Sequence, residues 1–201
     1  MDRIDSIAGL EAHYGKPGAA SLKKVTAFLT PAYRRWVEAS RFCILTTVGS
    51  TGTDGSPRGD DGPVVTVLDP QTLAMPDWRG NNRLDSLRNI VEDGRVSLML
   101  MVPGNINVIR INGSAIVTTD PDLRARFERE GGKQPATVIV IQIAEVYSQC
   151  ARALMRSALW KGDYQGDLPS VGDMLDEISS GEIDGGTYDA EWMPRAKKTM
   201  W

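Results

Sequence analysis

Apolar positions along this chain change their period twice. Up to about residue 40 they recur at helical spacing. Residues 1–40 therefore read as helical, with one segment over Ser21–Phe28 and a second opened by Thr30-Pro31 and running to about Ser40. Threonine is a good N-cap and proline suits the first helical position. Tyr33, Trp36 and Val37 then share a face that would pack on the main domain. From Arg41 the pattern becomes strand-like. Phe42–Gly49 (FCILTTVG), Pro63–Asp69, Thr72–Met75, Val96–Val102, Asn105–Thr118 and Ala136–Ser148 are the six predicted strands. Asp54-Gly55 supplies a hairpin-turn signal after the first. Pro76 is expected to end the third, and Gly113 to bend the fifth. Val96–Val102 is so continuously apolar that burial on both faces is expected.

Helical patterns return at three places. Gly80–Asn82 is a polar turn leading into a helix from Arg83 to about Glu92, with Leu84, Leu87, Ile90 and Val91 on one face. Pro121–Glu130 reads as a short helix after Asp120. Beyond Cys150 come a helix in ARALMRSALW, a Gly/Asp-rich turn, a helix near Val171–Ser179, and a polar tail expected to be loosely structured. Trp192, Met193 and Trp201 in that tail are candidates to pack on a partner subunit. Strands joined by short turns, with no βαβ alternation, predict a mainly β fold with flanking helices, its antiparallel sheet curled into a barrel. The organisation is a helical extension over 1–40, a barrel over 41–150, and a helical extension with tail over 151–201.

Composition narrows the chemistry. The chain has 201 residues, 41% of them hydrophobic, and a net charge of −3. That balance argues against nucleic-acid and membrane-surface partners, and any bound anion needs a local cluster of donors. No apolar run approaches a membrane span and the N-terminus lacks a signal-peptide core, so a cytoplasmic location is expected. Cys43 and Cys150 read as two buried thiols. His13 is the one histidine and is expected on the surface, which removes histidine-based triads and metal centres and leaves reactivity to a borrowed cofactor.

Two polar clusters interrupt the strands: Ser56–Pro63 (SPRGDDGP) and Met75–Asn89 (MPDWRGNNRLDSLRN). In the second, a turn with Gly80, Asn81 and Asn82 runs into a helix start, where free N–H groups, a positive dipole end and Arg83 compose a phosphate seat. Taken alone it reads equally as an Asn-capped helix with surface arginines. In the first, Arg58 beside Asp60 and Asp61 reads alone as a loop salt bridge. If the strands that carry Arg58 and the turn before Arg83 are neighbours in a meander, both arginines reach one end of the barrel, suited to a phosphate dianion.

The run Phe42–Asp120 resembles the pyridoxamine 5′-phosphate oxidase-like flavoproteins. It is most similar to the branch of FMN-dependent enzymes with SPRGD (here Ser56–Asp60) followed by a P-D-x-x-G-N-x-R-x-D-S-x-x-N segment (here Pro76–Asn89). Ala153–Trp160 (ALMRSALW) is similar to that branch's C-terminal signature, and the resemblance covers roughly residues 30–170. It implies an FMN-binding split β-barrel, a Greek-key-like antiparallel barrel, forming a homodimer with FMN at the subunit interface. Arg58 would meet the FMN phosphate, with Asn81, Asn82 and Arg83 as the phosphate-binding turn. Pro76 and Asp77 would border the flavin ring, and Val65 and Thr66 would lie on the strand beneath it. Asn107–Arg110, Arg156, Ser157 and Trp160 would close the site from the second subunit. Arg152 and Arg156 fall one helical turn apart, as a basic stripe or part of that group.

The implied function is an FMN-dependent oxidoreductase acting on a small molecule, with a reductant such as NAD(P)H binding transiently, since no dinucleotide fingerprint is present. The catalytic residues and substrate are not implied. The chain lacks the Arg-x-His of the pyridoxal-phosphate-making oxidases and any counterpart of their substrate clamp, so that activity is not expected. Gln149 stands where the branch is expected to carry a histidine. The competing readings are a non-catalytic flavin carrier or sensor, a reductase using deazaflavin F420, and a structural dimer; haem is disfavoured by the lone His13.

Overall fold

A computed structural model describes residues 1–164 and 166–201. Its centre is one seven-stranded antiparallel sheet in the order β2-β1-β5-β6-β7-β4-β3. The strands are β1 Phe42–Gly49, β2 Gly52–Gly59, β3 Thr66–Asp69, β4 Thr72–Asp77, β5 Arg95–Met101, β6 Val108–Thr118 and β7 Thr137–Gln149. Leu45, Leu73, Met75, Leu98, Leu100, Ile109, Ile111, Ile139 and Ile141 fill the inside of the curl, each under 2% exposed. Burying a side chain of that size contributes roughly 1.5–3 kcal/mol. The fold is mainly β with flanking helices, as the pattern predicts, and it is the split barrel that the resemblance implies.

The additional strand is β2, which contains Ser56–Gly59. Asp54-Gly55 is not the turn: Asp54 pairs with Thr47 and Gly55 with Thr46. The hairpin turns four residues earlier, through Ser50-Thr51, because Gly52 accepts a φ of 128° that side chains resist. β3 starts at Thr66 rather than Pro63, although Val64 and Val65 are buried just before it. Pro76 does not end β4; it stands opposite Val138 on β7. The β3 ladder stops at Thr66↔Ala74, so the other edge of β4 has no recorded ladder partner at Pro76, where the missing N–H costs no ladder bond. β5 is not buried on both faces: Met99 is 37% exposed while Val96, Leu98 and Leu100 point inward. The bend in β6 is a bulge between Asn112 and Gly113, where an added Cβ would strike the Gln142 carbonyl.

The helices are α1 Ile7–Glu11, α2 Ala19–Lys23, α3 Pro31–Ala39, α4 Asp85–Glu92, α5 Pro121–Ala125, α6 Arg152–Ser157, α7 Val171–Ser179 and α8 Gly185–Thr199. The predicted segment Ser21–Phe28 is cut short, because Thr26 leaves α2 to bridge Val146 at the side of β7. α3 is as expected, capped by the Thr30 hydroxyl accepting from the Tyr33 N–H and burying Val37. α4 begins at Asp85 rather than Arg83, since Asn82 and Leu84 take left-handed φ values of 60° and 62°. Its inner face is Ser86, Asn89 and Ile90; Leu84 and Val91 are exposed. The amide of Asn89 donates to the Thr47 hydroxyl at 3.0 Å, which pins α4 to β1. The tail is not loose: Gly185–Thr199 is a helix that packs on α7, with Asp189 accepting from the Gly172 N–H at 2.9 Å. The Gly/Asp-rich turn before α7 includes residue 165, which lies outside the described residues.

Candidate functional site

The strands predicted to be meander neighbours do pair, as β3 and β4, but Arg58 lies on β2, which four strands, β1, β5, β6 and β7, separate from β4 in the sheet order. The curl of the sheet brings them together instead. Arg58 of β2 reaches across the split to Asp77 of β4, its Nη1 donating to Oδ1 at 2.6 Å. The two side chains are only 20% and 15% exposed, so this pair closes the barrel with side chains where backbone bonds stop.

A cleft of 1590 Å³ opens beside that pair, lined by residues 54–61 of the β2 segment, 75–87 of the β4–α4 connection, 133–137 before β7, and Met200 and Trp201. Arg58, Pro76, Asp77, Asn81, Asn82 and Arg83 all face it. Asn81 accepts from the Arg83 N–H at 3.1 Å through its side-chain oxygen, and this bond with the left-handed Asn82 shapes the turn. Arg83 is largely exposed and shares its Nε–H with Asp85 at 2.9 Å. α4 has no side-chain N-cap, which leaves its first N–H groups to the turn region. Among the described residues three buried polar atoms have no partner: Arg129 Nε at the far end of the cleft and, on this wall, the pair Arg58 Nε and Thr137 Oγ1. Thr137 stands opposite Asp77 in the β4–β7 register, so both orphans flank the same carboxylate. A buried donor without a partner is costly, and a ligand with oxygen acceptors at this point would relieve it.

The far end of the cleft is built differently. Arg129, on the connection between α5 and β7, donates from Nη1 to Asp61 at 2.9 Å and from Nη2 to Asp61 and Asp60. The Trp78 indole N–H donates to Asp60 at 3.1 Å. Arg129 holds the Asp61 carboxyl well below its ordinary value, at about 2, and Asp61 in turn raises Arg129. The Arg129 guanidinium carbon lies 3.5 Å from the Trp201 ring centre and 4.9 Å from that of Trp78.

The remaining predicted residues lie elsewhere. Val65 is fully buried and Thr66 is exposed at the start of β3; neither lines the cleft, although Val64 does. Arg110 stacks over Tyr147 at 5.3 Å. The Trp160 indole donates to the Asn105 carbonyl at 2.8 Å, and Arg156 and Ser157 sit just before it on α6, both exposed. The structure thus separates the predicted set into a cleft group and an α6–β6 group. The reading of the residues left out Thr137, Trp78 and Arg129. Trp78 lies inside the quoted polar segment and was the one within reach; Arg129 gave no local signal. Trp201, expected against a partner, packs on its own chain.

Of the two thiols, Cys43 is buried, and burial pushes its pKa up to about 12 against the pull of Arg58; Cys150 is exposed rather than buried, its pKa lowered by the Arg152 backbone N–H. His13 is exposed. Among the described residues no cluster of metal-ligating side chains occurs, and no helix is long and apolar enough to cross a membrane.

A sequence model of the family described as pyridoxamine 5′-phosphate oxidase matches residues 29–150. The chain belongs to that family. The match begins at the segment before α3 and ends with β7, so it contains the whole barrel and both arginines of the Arg58 end. Among solved structures, a HupZ variant from Group A Streptococcus is similar at 14% identity and a TM-score of 0.50, covering 60% of this chain and 98% of its own. An FMN-binding protein from Syntrophomonas wolfei is similar at 15% identity and a TM-score of 0.43, covering 58% and 88%. General stress protein 26 from Bacillus anthracis is similar at 16% identity and 0.44, covering 57% and 88%. At such identities the HupZ likeness shows the fold alone. No curated protein matches the chain.

Proposed function

We propose that this protein binds FMN in the cleft and serves as a flavin-dependent oxidoreductase on a small molecule. The observation that carries the reading is Arg58: a nearly buried guanidinium held in place by one carboxylate, with Nε unpartnered on the wall of a cleft whose other side is the Asn81–Arg83 turn. That is a prepared seat for a phosphate group, and it sits in the barrel of a family described by an oxidase of a phosphate ester.

Bound FMN would supply hydride or electron transfer, chemistry that the side chains of this chain do not offer. The chain's own part is binding and orientation. Arg58 and Arg83 would hold the phosphate, while Asp77 fixes the plane of Arg58 and keeps it from swinging into solvent. Asn81 and the left-handed Asn82 would present the turn's polar groups to the same phosphate. Pro76 and Asp77 would border the ring. The group of Arg110, Arg156, Ser157 and Trp160 stands apart from this cleft within one chain, and we assign it to the site of a second subunit in a homodimer. NAD(P)H is a suitable transient reductant. The missing substrate clamp argues against pyridoxamine-phosphate oxidation.

The test is the visible absorption spectrum of the purified protein, before and after adding FMN. The expected result is a pair of flavin bands that shift on binding, with affinity lowered roughly ten- to hundred-fold in Arg58→Ala, the worth of about 1.5–3 kcal/mol for a charge-assisted bond. A protein that leaves the spectrum of added FMN unchanged would overturn the cofactor assignment.

A further inference from the structure

The Arg129 end of the cleft is walled by residues of the barrel loops and filled by a residue that does not belong to them. Asp60 and Asp61 follow β2, Trp78 follows β4, and Arg129 precedes β7, its N–H bonded to the Lys133 carbonyl at 2.9 Å. These four groups brace one another: Arg129 is locked by the two carboxylates, and Asp60 also takes the Trp78 N–H. The guanidinium is therefore a fixed plane, 22% exposed. Against it lies the Trp201 indole, edge-on to Trp78 with centroids 5.4 Å apart and an interplanar angle of 82°. Trp201 is delivered by α8, whose packing is on α7 rather than on the sheet. Rigid walls with an occupant on a separate helical hairpin are the arrangement of a subsite and a side chain that stands in for its ligand.

We propose that this end is a binding subsite for a planar aromatic ring without negative charge, which Trp201 occupies until such a ring displaces it. The shape follows from the indole already held there, by cation–π stacking on Arg129 and an edge contact with Trp78. The charge preference follows from the groups braced around the ring: Arg129, already paired, against Asp60 and Asp61. Both Nη groups of Arg129 are spent on those carboxylates and its one unpartnered donor, Nε, is buried, so a carboxylate or phosphate on the ring would meet two acidic groups and no donor on the open face. The two ends of the cleft thus select differently, an anion at Arg58 and a neutral or cationic ring at Arg129. The inference takes its ring as the small molecule acted on in the flavin reading, and it rests on that reading only for that role.

The experiment uses the full chain and titrates indole and indole-3-acetate by calorimetry. Trp201→Ala is expected to bind indole at least about ten-fold more tightly than the wild type, whose own side chain competes, and to bind indole-3-acetate at least about ten-fold more weakly than indole. Adding Arg129→Ala should abolish indole binding; adding Asp60→Asn instead should narrow the gap between the two probes, an effect that a collapsed loop would not produce. Indole binding no tighter than in the wild type, or indifferent to Arg129→Ala, overturns the subsite. Equal or tighter binding of indole-3-acetate overturns the charge rule. FMN titrated into the same samples reports separately: no flavin binding with the indole pattern intact would sink the cofactor reading and leave the subsite standing.

Discussion

The two ends of the cleft hold arginines that differ in how many carboxylates they serve. Arg58 has one carboxylate partner and a buried Nε with none, and the neighbouring turn is shaped by left-handed residues rather than by a capping side chain. Arg129 keeps a buried, unpartnered Nε as well, but its Nη groups serve two carboxylates and an indole is stacked on its face. In formal charge the two guanidiniums are equal. Their use differs because binding an anion needs donors that the fold has not already spent. A basic residue in a cleft is therefore evidence for a phosphate only after its hydrogen bonds have been counted.

The largest expected effect sets the two arginines against each other with a pair of ligands, FMN and riboflavin, which differ by the phosphate. Arg58→Ala should weaken FMN roughly ten- to hundred-fold and leave riboflavin within about two-fold, so the FMN/riboflavin ratio collapses. Arg129→Ala should change both ligands by the same factor and preserve the ratio. Flavin fluorescence titration measures both. A ratio that falls in Arg129→Ala instead would mean that its pairing with Asp60 and Asp61 opens to receive the phosphate, and the comparison would break.

A smaller effect probes how the Arg58 end is held. Leu84 keeps a left-handed φ of 62° with a side chain 45% exposed, so it bears backbone strain and returns little packing. The strain costs roughly 1–2 kcal/mol, of which the entropy of a glycine takes back about 0.5–1. Leu84→Gly should accordingly raise the thermal midpoint by about 1–4 °C in a chain of this size. A fall in the midpoint would show that the leucine supports the turn by contacts and that the strain is not what the position stores.

The same contrast explains what could be read from the chain. The Arg58 end is legible because its parts are short segments with local signals: a polar cluster carrying Arg58, and an Asn-rich turn followed by the apolar spacing of α4. The pattern places Arg58 in a loop before β3 and does not reveal β2, so it misses that the curl of the sheet is what joins Arg58 to Asp77. It also took Asp54-Gly55 as the turn, since a composition signal does not reveal that Gly52 holds the left-handed backbone. The Arg129 end is legible only in pieces: Asp60, Asp61 and Trp78 fall in the polar clusters, but nothing in the pattern joins them to Arg129 or Trp201. Arg129 and Asp61 are 68 positions apart, and Trp201 lies beyond a tail whose polar, glycine-containing sequence concealed the helix α8. Contacts across such distances follow from tertiary closure, and neither periodicity nor turn chemistry encodes them.

The smallest effect concerns acid. Arg129 holds Asp61 at about 2, below its ordinary 3.8. A depressed carboxyl contributes stability that is present above the unfolded value and lost as pH falls through the folded one, so the pairing should be complete above about pH 4 and fade toward pH 2. The group is exposed, so the consequence is local rather than global: loss of one of its two carboxylates loosens Arg129 beneath Trp201, and the emission difference between wild type and Trp201→Phe should report a midpoint near pH 2. Asp61→Asn should remove that transition. A midpoint close to 4 would mean that Asp61 titrates as a free carboxyl and that the Arg129 end is as open as the Arg58 end. In that case donor availability would not be what separates the two.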